Sequence, residues 1–285
     1  MIKKVIYATT SSPFKARLFN NKNVLITGGG TGLGKQMAKT YLALGANVTI
    51  ASRKEEVLKN TCSELGGNRI NYHILDLKQS ESVASFVDNL ENLPDIVINN
   101  SAGNFICPSE NLSYNGWNSI IDIVLKGTTD LTLSLGKKMI KESHTASFIN
   151  ISTTYATTGS GYVVPSAIAK AGCDNLTKSL AAEWGKYGLR FNSIAPGPIY
   201  TEGAFSRLDP TGEFVKNVGN VLPLGRLGEQ EELANLVCFI SSDHMSWMTG
   251  QLINLDGGET VGNSGEFNFL NKFKPEDWLK LKSKM

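Results

Sequence analysis

The chain has 285 residues, of which 41% are hydrophobic, and a formal net charge of +2 at pH 7. This length suits one large domain with a substantial core, and the near-neutral charge argues against nucleic acid as the main partner. The four cysteines and three histidines are scattered along the chain, so neither a disulfide framework nor a metal site is expected, and no apolar run reaches the ~18 residues of a membrane span.

Both ends of the chain carry weak targeting signals. The first 22 residues are basic and rich in Ser and Thr, and the first acidic residue is Glu55. This composition is typical of a short mitochondrial transit peptide, with an ordinary basic arm as an equal alternative. The ending Ser283-Lys284-Met285 is close to the peroxisomal Ser-Lys-Leu signal, although a solvated tail explains it more simply. We predict an arm over 1–22 and one domain over 23–285.

Strand and helix patterns alternate along that domain. Strand patterns cover 23–27, 47–51, 69–74, 95–99, 147–151, 190–194 and 251–255. Helical patterns cover 34–44, a charged stretch ending at 65, 80–90, 117–139, 167–187 and 229–241. The alternation predicts a single-domain α/β fold of the doubly wound, Rossmann-like kind, with a parallel sheet of about seven strands and helices on both faces. The stretch 196–227 shows no regular pattern, which predicts a functional loop, here a substrate loop.

A glycine-rich turn follows the first strand pattern and reads TGGGTGLG over 27–34. Glycines let the backbone approach a pyrophosphate, and the following helix N-terminus supplies free N–H groups. The common G-x-G-x-x-G spacing fits in no register, but between a strand and a helix this turn still predicts a dinucleotide site. The predicted cofactor contacts here are Thr27, Gly28, Gly30, Thr31, Gly32, Leu33 and Gly34.

The end of the second strand pattern decides between NAD and NADP. An acid there would bind the ribose 2′-hydroxyl, but the chain has Arg53 and Lys54 instead. Both can pair with a 2′-phosphate, which predicts NADPH as the cofactor. The alternative is that Arg53 only begins the next helix. Asp76, after the third strand pattern, is a candidate partner of the adenine amino group or a simple loop carboxylate.

Several motifs together resemble the short-chain dehydrogenase/reductase superfamily. These are the glycine turn, Asn99-Asn-Ser-Ala-Gly103, Lys170 on the helix after the fifth strand, and Pro196-Gly-Pro-Ile199. Longer segments at 100–105, 154–161, 179–188, 203–212 and 265–268 are similar to the mitochondrial-type 2,4-dienoyl-CoA reductases, so the resemblance spans about 23–268. It implies NADPH, an acyl-CoA thioester substrate, a homotetramer and a mitochondrial location, with a peroxisomal one as the alternative. The cofactor contacts it adds are Pro196, Gly197, Pro198 and Ile199.

The resemblance also implies a rearranged catalytic site. Ordinary members carry a Tyr-x-x-x-Lys pair, whereas here Ser166 precedes Lys170 by four residues. In the dienoyl-CoA reductases the tyrosine comes from the end of the fifth strand, which matches Tyr155, with Tyr162 as the alternative. A second oxyanion donor matches Asn104, unless that residue only serves a turn. The implied catalytic set is Tyr155, Asn104, Ser166 and Lys170, in which Lys170 also binds the nicotinamide ribose unless it is a solvated helix charge.

Substrate contacts follow from the same resemblance. Arg207 matches a substrate-contacting arginine, with a surface charge as the alternative, and Lys78 falls where the family has an arginine near the CoA phosphates. Lysine keeps the charge but loses the bidentate geometry. Phe105 is expected either to pack on the acyl chain or to belong to the core. The full set of predicted substrate contacts is Arg53, Lys78, Phe105, Ser113 and Arg207.

One position departs from the family pattern. Lys126 stands where members carry an asparagine that helps to hold a water near the catalytic lysine. A second cation near Lys170 would disfavour the charge on both lysines. Either Lys126 turns away, or the proton relay differs, or activity is reduced. The implied function is NADPH-dependent reduction of 2,4-dienoyl-CoA to trans-3-enoyl-CoA in β-oxidation of polyunsaturated fatty acids. The alternatives are another enoyl- or oxoacyl-CoA reductase of the superfamily, or a catalytically impaired NADP-binding protein.

Overall fold

The computed structural model describes residues 13–209 and 211–282. Its seven strands form one parallel sheet in the order β3-β2-β1-β4-β5-β6-β7. The strands are β1 (Asn23–Thr27), β2 (Asn47–Ser52), β3 (Ile70–Ile74), β4 (Ile96–Asn99), β5 (Ala146–Ile151), β6 (Leu189–Pro196) and β7 (Leu252–Leu255). The strand order reverses between β1 and β4, and such a switch point is where ligands bind in open α/β sheets.

Helices connect the strands and cover both faces of the sheet. They are α1 (Gly32–Ala43), α2 (Glu55–Leu65), α3 (Ser80–Asp88), α4 (Tyr114–Ile120), α5 (Thr128–Lys141), α6 (Tyr155–Thr158), α7 (Val164–Trp184), α8 (Glu202–Leu208), α9 (Glu213–Val221), α10 (Gln230–Ser241), α11 (Glu259–Ser264) and α12 (Pro275–Lys282). A π-helical segment, Ile121–Gly127, joins α4 to α5.

Alternate residues of β1, β2, β4, β5 and β6 enter two separate cores. In β1, Ile26 belongs to a cluster with Tyr41 of α1 and Leu233 of α10, whereas Leu25 belongs to a cluster with Leu131 of α5 on the other face. Successive strand side chains point to opposite faces, so a strand buried on both sides shows a continuous apolar run. The predicted doubly wound fold is therefore confirmed.

The stretch 196–227, predicted to be irregular, contains two helices, α8 and α9. Local capping explains both. The Thr201 hydroxyl accepts a hydrogen bond from Ala204 N at 3.3 Å, and the Asp209 carboxylate accepts from Phe214 N and Val215 N at 3.2 and 3.0 Å. Such caps satisfy the unpaired N–H groups of a helix start and stabilise short helices that periodicity alone does not reveal.

The helix predicted over 117–139 begins earlier and is interrupted. Ser113 caps α4 by accepting a hydrogen bond from Gly116 N at 3.0 Å, and the chain then passes through the π-helical segment before α5. Gly127 packs against the turn that follows β3. A Cβ added to Gly127 would stand 2.4 Å from the Leu77 carbonyl oxygen. A close backbone contact thus fixes the place where the π segment ends.

The C-terminal half of the predicted basic arm packs on the domain. Phe19 is buried, its ring lies edge-on to Tyr41 with centroids 4.9 Å apart, and its N–H donates to the Leu44 carbonyl. Residues 1–12 and Ser283-Lys284-Met285, on which the targeting predictions depend, lie outside the described residues. Within the described ranges, none of the helices combines the length and apolarity that a membrane crossing requires.

Candidate active site

A cleft of about 1720 Å³ opens at the carboxyl ends of the strands. Its walls come from the chain that follows each of the seven strands, including α8 after β6 and the start of α11 after β7. This is the edge of a parallel sheet at which ligands are expected. The cleft therefore brings together most of the residues that the sequence analysis singled out.

The glycine turn forms one end of the cleft. Gly28 and Gly32 have φ of +66° and +49°, a region that favours glycine, and both line the cleft with Gly30, Thr31 and Leu33. Gly34 packs against the turn itself, since an added Cβ would lie 2.3 Å from the Gly28 carbonyl oxygen. A pyrophosphate fits this bare backbone at the start of α1.

Thr27 does not reach the cleft, although it was predicted to contact the cofactor. Its buried hydroxyl accepts hydrogen bonds from Asn100 N and Ser101 N, each at 3.0 Å. It therefore ties the end of β1 to the turn after β4. Thr27 and Gly34 shape the phosphate turn, while their neighbours form its surface.

Arg53 and Lys54 are exposed at the rim of the cleft directly after β2. Asp76 lines the same end, where its Oδ1 accepts a hydrogen bond from Lys78 N at 3.0 Å. The Lys78 side chain is exposed and lies outside the lining. Two cations without an acid at the end of β2 are compatible with a 2′-phosphate.

Asn104 and Tyr155 meet in the middle of the cleft. Asn104 Nδ2 donates to the Tyr155 hydroxyl at 2.9 Å, and that hydroxyl lies 3.4 Å from Ser166 Oγ. Tyr155 begins α6, a four-residue helix directly after β5, while Ser166 lies on α7. Three predicted catalytic residues from different segments thus form one hydrogen-bonded group.

Tyr162, the alternative tyrosine, is placed differently. Its side chain is 62% exposed, and its backbone has φ of +66°. Its carbonyl oxygen accepts a hydrogen bond from Cys107 N at 2.8 Å, so its backbone fastens two loops together. It lines the outer cleft, and it is Tyr155 that bonds to Asn104.

Lys170 is buried beneath this group. Its Nζ donates to the Ile151 carbonyl at the end of β5, so the lysine is not a solvated helix charge. Burial lowers the pKa of Lys170, and the nearby Cys173 and Asp174 side chains act in the opposite direction. Desolvation disfavours an ammonium ion, whereas neighbouring negative charge favours it.

Lys126 turns away from Lys170. Its side chain is 68% exposed, and its Nζ lies 2.7 Å from Asp122 Oδ1, one helical turn earlier. The hydrogen bond to Asp122 raises the pKa of Lys126. Of the three outcomes open from the sequence, the structure shows the first, because the second cation points to solvent.

The predicted substrate contacts separate into two groups. Arg207, on α8, and Arg53 line the cleft. Ser113 does not, because its hydroxyl caps α4, and Phe105 packs against the small core around Ile120 and Val124. Ile106, the residue that follows Phe105, lines the cleft instead.

Sequence reasoning missed two acidic groups and a polar ladder. Glu259 lines the cleft and accepts a hydrogen bond from Thr154 Oγ1 at 3.0 Å, and burial raises its pKa. Asp174 is buried and accepts from Ser152 Oγ at 2.7 Å. Hydrogen bonds also link β4, β5 and α7 below the site through Asn99, Asn150 and Thr177. The sequence contains a signal for this hydrogen-bonded ladder, since an asparagine interrupts the apolar strands at 99 and at 150.

The described residues contain no group of three His, Cys, Asp or Glu side chains that could hold a metal ion.

Comparison with known proteins agrees with this geometry. The family model described as enoyl-(acyl carrier protein) reductase matches residues 28–260. An uncharacterized oxidoreductase of Caenorhabditis elegans is 49% identical over 91% of this chain and 86% of its own length. Another C. elegans protein, named "Probable 2,4-dienoyl-CoA reductase" and described as producing (3E)-enoyl-CoA, is 43% identical over 97% of this chain and 93% of its own.

A solved structure from Beutenbergia cavernae, described as an NAD(P)-dependent gluconate 5-dehydrogenase with bound NADP at low occupancy, superposes with a TM-score of 0.81. It is 25% identical, and the match covers 86% of this chain and all of that one. The chain therefore belongs to the short-chain dehydrogenase/reductase family of oxidoreductases. A nicotinamide dinucleotide is the class of cofactor that the family and the glycine-lined cleft support.

Proposed function

We propose that the chain is an NADPH-dependent 2,4-dienoyl-CoA reductase, which converts 2,4-dienoyl-CoA to trans-3-enoyl-CoA in β-oxidation of polyunsaturated fatty acids. The observation that carries the proposal is the 2.9 Å hydrogen bond from Asn104 to the Tyr155 hydroxyl. An ordinary carbonyl reductase of this family has a tyrosine where this chain has Ser166. Activity of this kind is also in the name of the 43% identical relative.

The pair is suited to an oxyanion. Asn104 uses one N–H toward Tyr155 and keeps the other, and Tyr155 accepts that bond and keeps its own O–H. Both can donate to one thioester oxygen, on which charge accumulates when a conjugated dienoyl group is reduced. Preorganised donors of this kind contribute on the order of 3 kcal/mol each to the transition state.

Residues of the chain suit each part of the cofactor. The turn from Gly28 to Leu33 would hold the pyrophosphate, Arg53 and Lys54 the 2′-phosphate, and Lys170 the nicotinamide ribose. When bound, NADPH supplies the hydride that adds at C5 of the dienoyl group. Tyr155 and Asn104 then stabilise the dienolate until a proton reaches C2.

The rim of the cleft suits a CoA thioester. Arg207 and Arg53, which both line the cleft, bring positive charge for phosphates, and Ile106 offers apolar surface to an acyl chain. We further propose a homotetramer and a mitochondrial location, with peroxisomes as the alternative. Light scattering tests the first, and imaging of N- and C-terminally tagged forms tests the second.

Turnover of a dienoyl-CoA by the purified protein with NADPH tests the function. We expect loss of dienoyl absorbance with wild type, and a rate about 100-fold lower or more with Tyr155→Phe, because one oxyanion donor is lost. Tyr187→Phe is the matched control, since Tyr187 lies outside the cleft lining. Robust turnover by Tyr155→Phe with loss in Tyr162→Phe would transfer the role to Tyr162.

Trans-2-enoyl-CoA and 3-oxoacyl-CoA belong in the same assay, because the description of the matching family model favours an enoyl thioester. Preference for either would replace the dienoyl proposal. NADH turnover as fast as NADPH turnover would contradict the role of Arg53. Binding of NADPH without turnover of any of these thioesters would support the impaired-enzyme alternative.

A further inference from the structure

One turn of α7 carries three buried titratable side chains. Lys170, Cys173 and Asp174 are 7%, 3% and 6% exposed. Among the described residues, Lys170 and Asp174 are the two charged side chains that are buried. The proposed reaction uses Lys170 but gives no role to Asp174.

The end of β5 holds both charged groups. Lys170 Nζ donates to the Ile151 carbonyl, and the next residue, Ser152, donates from its hydroxyl to Asp174 Oδ2 at 2.7 Å. Residues four apart on a helix lie on the same face, so the two groups are near each other. They are not in direct contact, because Lys170 Nζ bonds to the Ile151 carbonyl and Asp174 Oδ2 bonds to Ser152. Adjacent residues of one strand end therefore fix both members of the pair.

Asp174 lacks part of the compensation that a buried carboxylate needs. Its Oδ1 is buried and makes no hydrogen bond of good geometry, although the Ser193 hydroxyl is near enough to lower the pKa of this carboxyl. Burying an ion in this way is costly unless an opposite charge lies nearby. The Lys170 ammonium is the buried charge of opposite sign on the same face.

The titration of the two groups is coupled in the expected sense. Burial lowers the pKa of Lys170, and Asp174 opposes that change. Burial raises the pKa of Asp174, and the hydroxyls of Ser152 and Ser193, followed by the charges of Lys170 and Lys178, oppose that change. Each group therefore favours the ionised form of the other.

Few other charges face this turn. Tyr155 of α6 approaches through Ser166, and Lys178 follows Asp174 one turn later on α7. On the π-helical segment, Asp122 and Lys126 pair with each other at the surface. The thiol of Cys173 is directed to the Val124 carbonyl of that segment, and Arg190 of β6 donates to the Ile240 and Ser241 carbonyls at the end of α10.

We propose that Asp174 is a positioning residue that acts through Lys170: its carboxylate keeps the buried lysine protonated, so that an ammonium group faces the cofactor site. The effect on catalysis rests on the proposed function, whereas the electrostatic coupling between Asp174 and Lys170 does not. The two parts can therefore fail separately.

Urea unfolding of Asp174→Asn between pH 7 and 10 tests the electrostatic coupling of Asp174 to Lys170 without any ligand. A lysine whose folded pKa lies below its unfolded value makes stability rise with pH across that interval, because the unfolded chain binds more protons. Without the carboxylate, the folded pKa drops further, and the rise is expected to begin at least about one pH unit lower than in wild type. Asp122→Asn, which removes an exposed carboxylate, is expected to leave the onset unchanged. An onset in Asp174→Asn equal to that of wild type would overturn the proposal.

Lys170→Met provides a test that does not require Asp174→Asn to fold. Without the cation, the folded pKa of Asp174 rises further above its unfolded value. Between those two values the folded state holds more protons, so stability is expected to fall with rising pH more steeply than in wild type between about pH 4 and 7. A slope equal to that of wild type would also contradict the pair.

Kinetics test the catalytic part of the proposal. With NADPH and a dienoyl-CoA, the alkaline limb of kcat/KM is expected to shift by at least about one pH unit to lower pH in Asp174→Asn, and Asp174→Glu is expected to restore it. A limb unchanged in active Asp174→Asn contradicts the catalytic part. If even wild type fails to turn over while the unfolding shift appears, the proposed function is wrong and the coupling between Asp174 and Lys170 stands.

Discussion

Two lysine–aspartate pairs with the same spacing lie on neighbouring helical segments and occupy opposite environments. Lys126 and Asp122, on the π-helical segment, form a pair at 2.7 Å that faces solvent. Lys170 and Asp174, on α7, are both buried beside the end of β5. The residue types and the sequence separation are alike, but the exposed pair is in direct contact, whereas the buried lysine and aspartate bond to Ile151 and Ser152 and differ from the exposed pair in burial as well.

That difference explains why the unusual lysine is tolerated. An exposed pair gains little, because water and salt screen both charges. A buried pair interacts strongly, and removal of either partner leaves an uncompensated charge. Lys126 therefore replaces a polar residue without placing a second cation beside Lys170, and the charge balance of the site depends on Asp174.

The largest effect is expected when the lysine of the buried pair is replaced. Lys170→Met is expected to lower turnover of dienoyl-CoA by about 100-fold or more, because a charge positioned in the site is lost. Initial rates with saturating NADPH measure it, and Lys126→Met is the control with the same change of side chain at the surface. Equal rates for both variants would remove the distinction between the two lysines.

A smaller effect concerns the contact between α7 and the π-helical segment. Gly172 of α7 faces Leu125 of the π segment, and an added Cβ would lie 2.6 Å from its Cδ1. We expect Gly172→Val to lower the free energy of unfolding by about 1–3 kcal/mol, because the contact is overpacked. Urea unfolding measures the loss. Gly185→Val is the control, since no atom lies within 4 Å of an added Cβ there; a similar loss in both would show a general effect of valine.

Glu259 is a third acidic residue, and its side chain is half-buried. Its pKa is raised by burial, against the hydrogen bond from Thr154. Between the unfolded and folded pKa values the folded chain binds more protons, so this residue makes stability fall as pH rises. Glu259→Gln is expected to remove part of that pH dependence in thermal unfolding from about pH 4 to 7. A curve parallel to that of wild type would show that Glu259 is ionised normally.

The smallest effect is expected at the exposed pair. Asp122→Asn removes the partner of Lys126, and we expect the urea midpoint to stay unchanged at both about 0.1 and 1 M NaCl. A marked loss of stability that disappears at high salt would show that the exposed pair contributes as the buried one does.

Chain patterns predicted the architecture well and its local interruptions poorly. The alternation of strands and helices follows from burial on both faces, which leaves apolar runs such as those of β4 and β5. Helices α8 and α9 were missed because Thr201 and Asp209 stabilise their starts, and both residue types are also common in loops. The cap role of Ser113 was missed for a similar reason.

By itself the sequence determined the doubly wound fold, the glycine turn and the presence of Ser166 in place of a tyrosine four residues before Lys170. Each of these depends on residue order and local conformation. The resemblance to a family brought Tyr155 and Asn104 into one hypothesis. Only the tertiary structure decided that the two side chains meet at 2.9 Å, that Lys126 faces water and that Asp174 lies buried on the same helix face as Lys170. Distance and burial depend on how distant segments pack, and they set the strength of every charge interaction in the site.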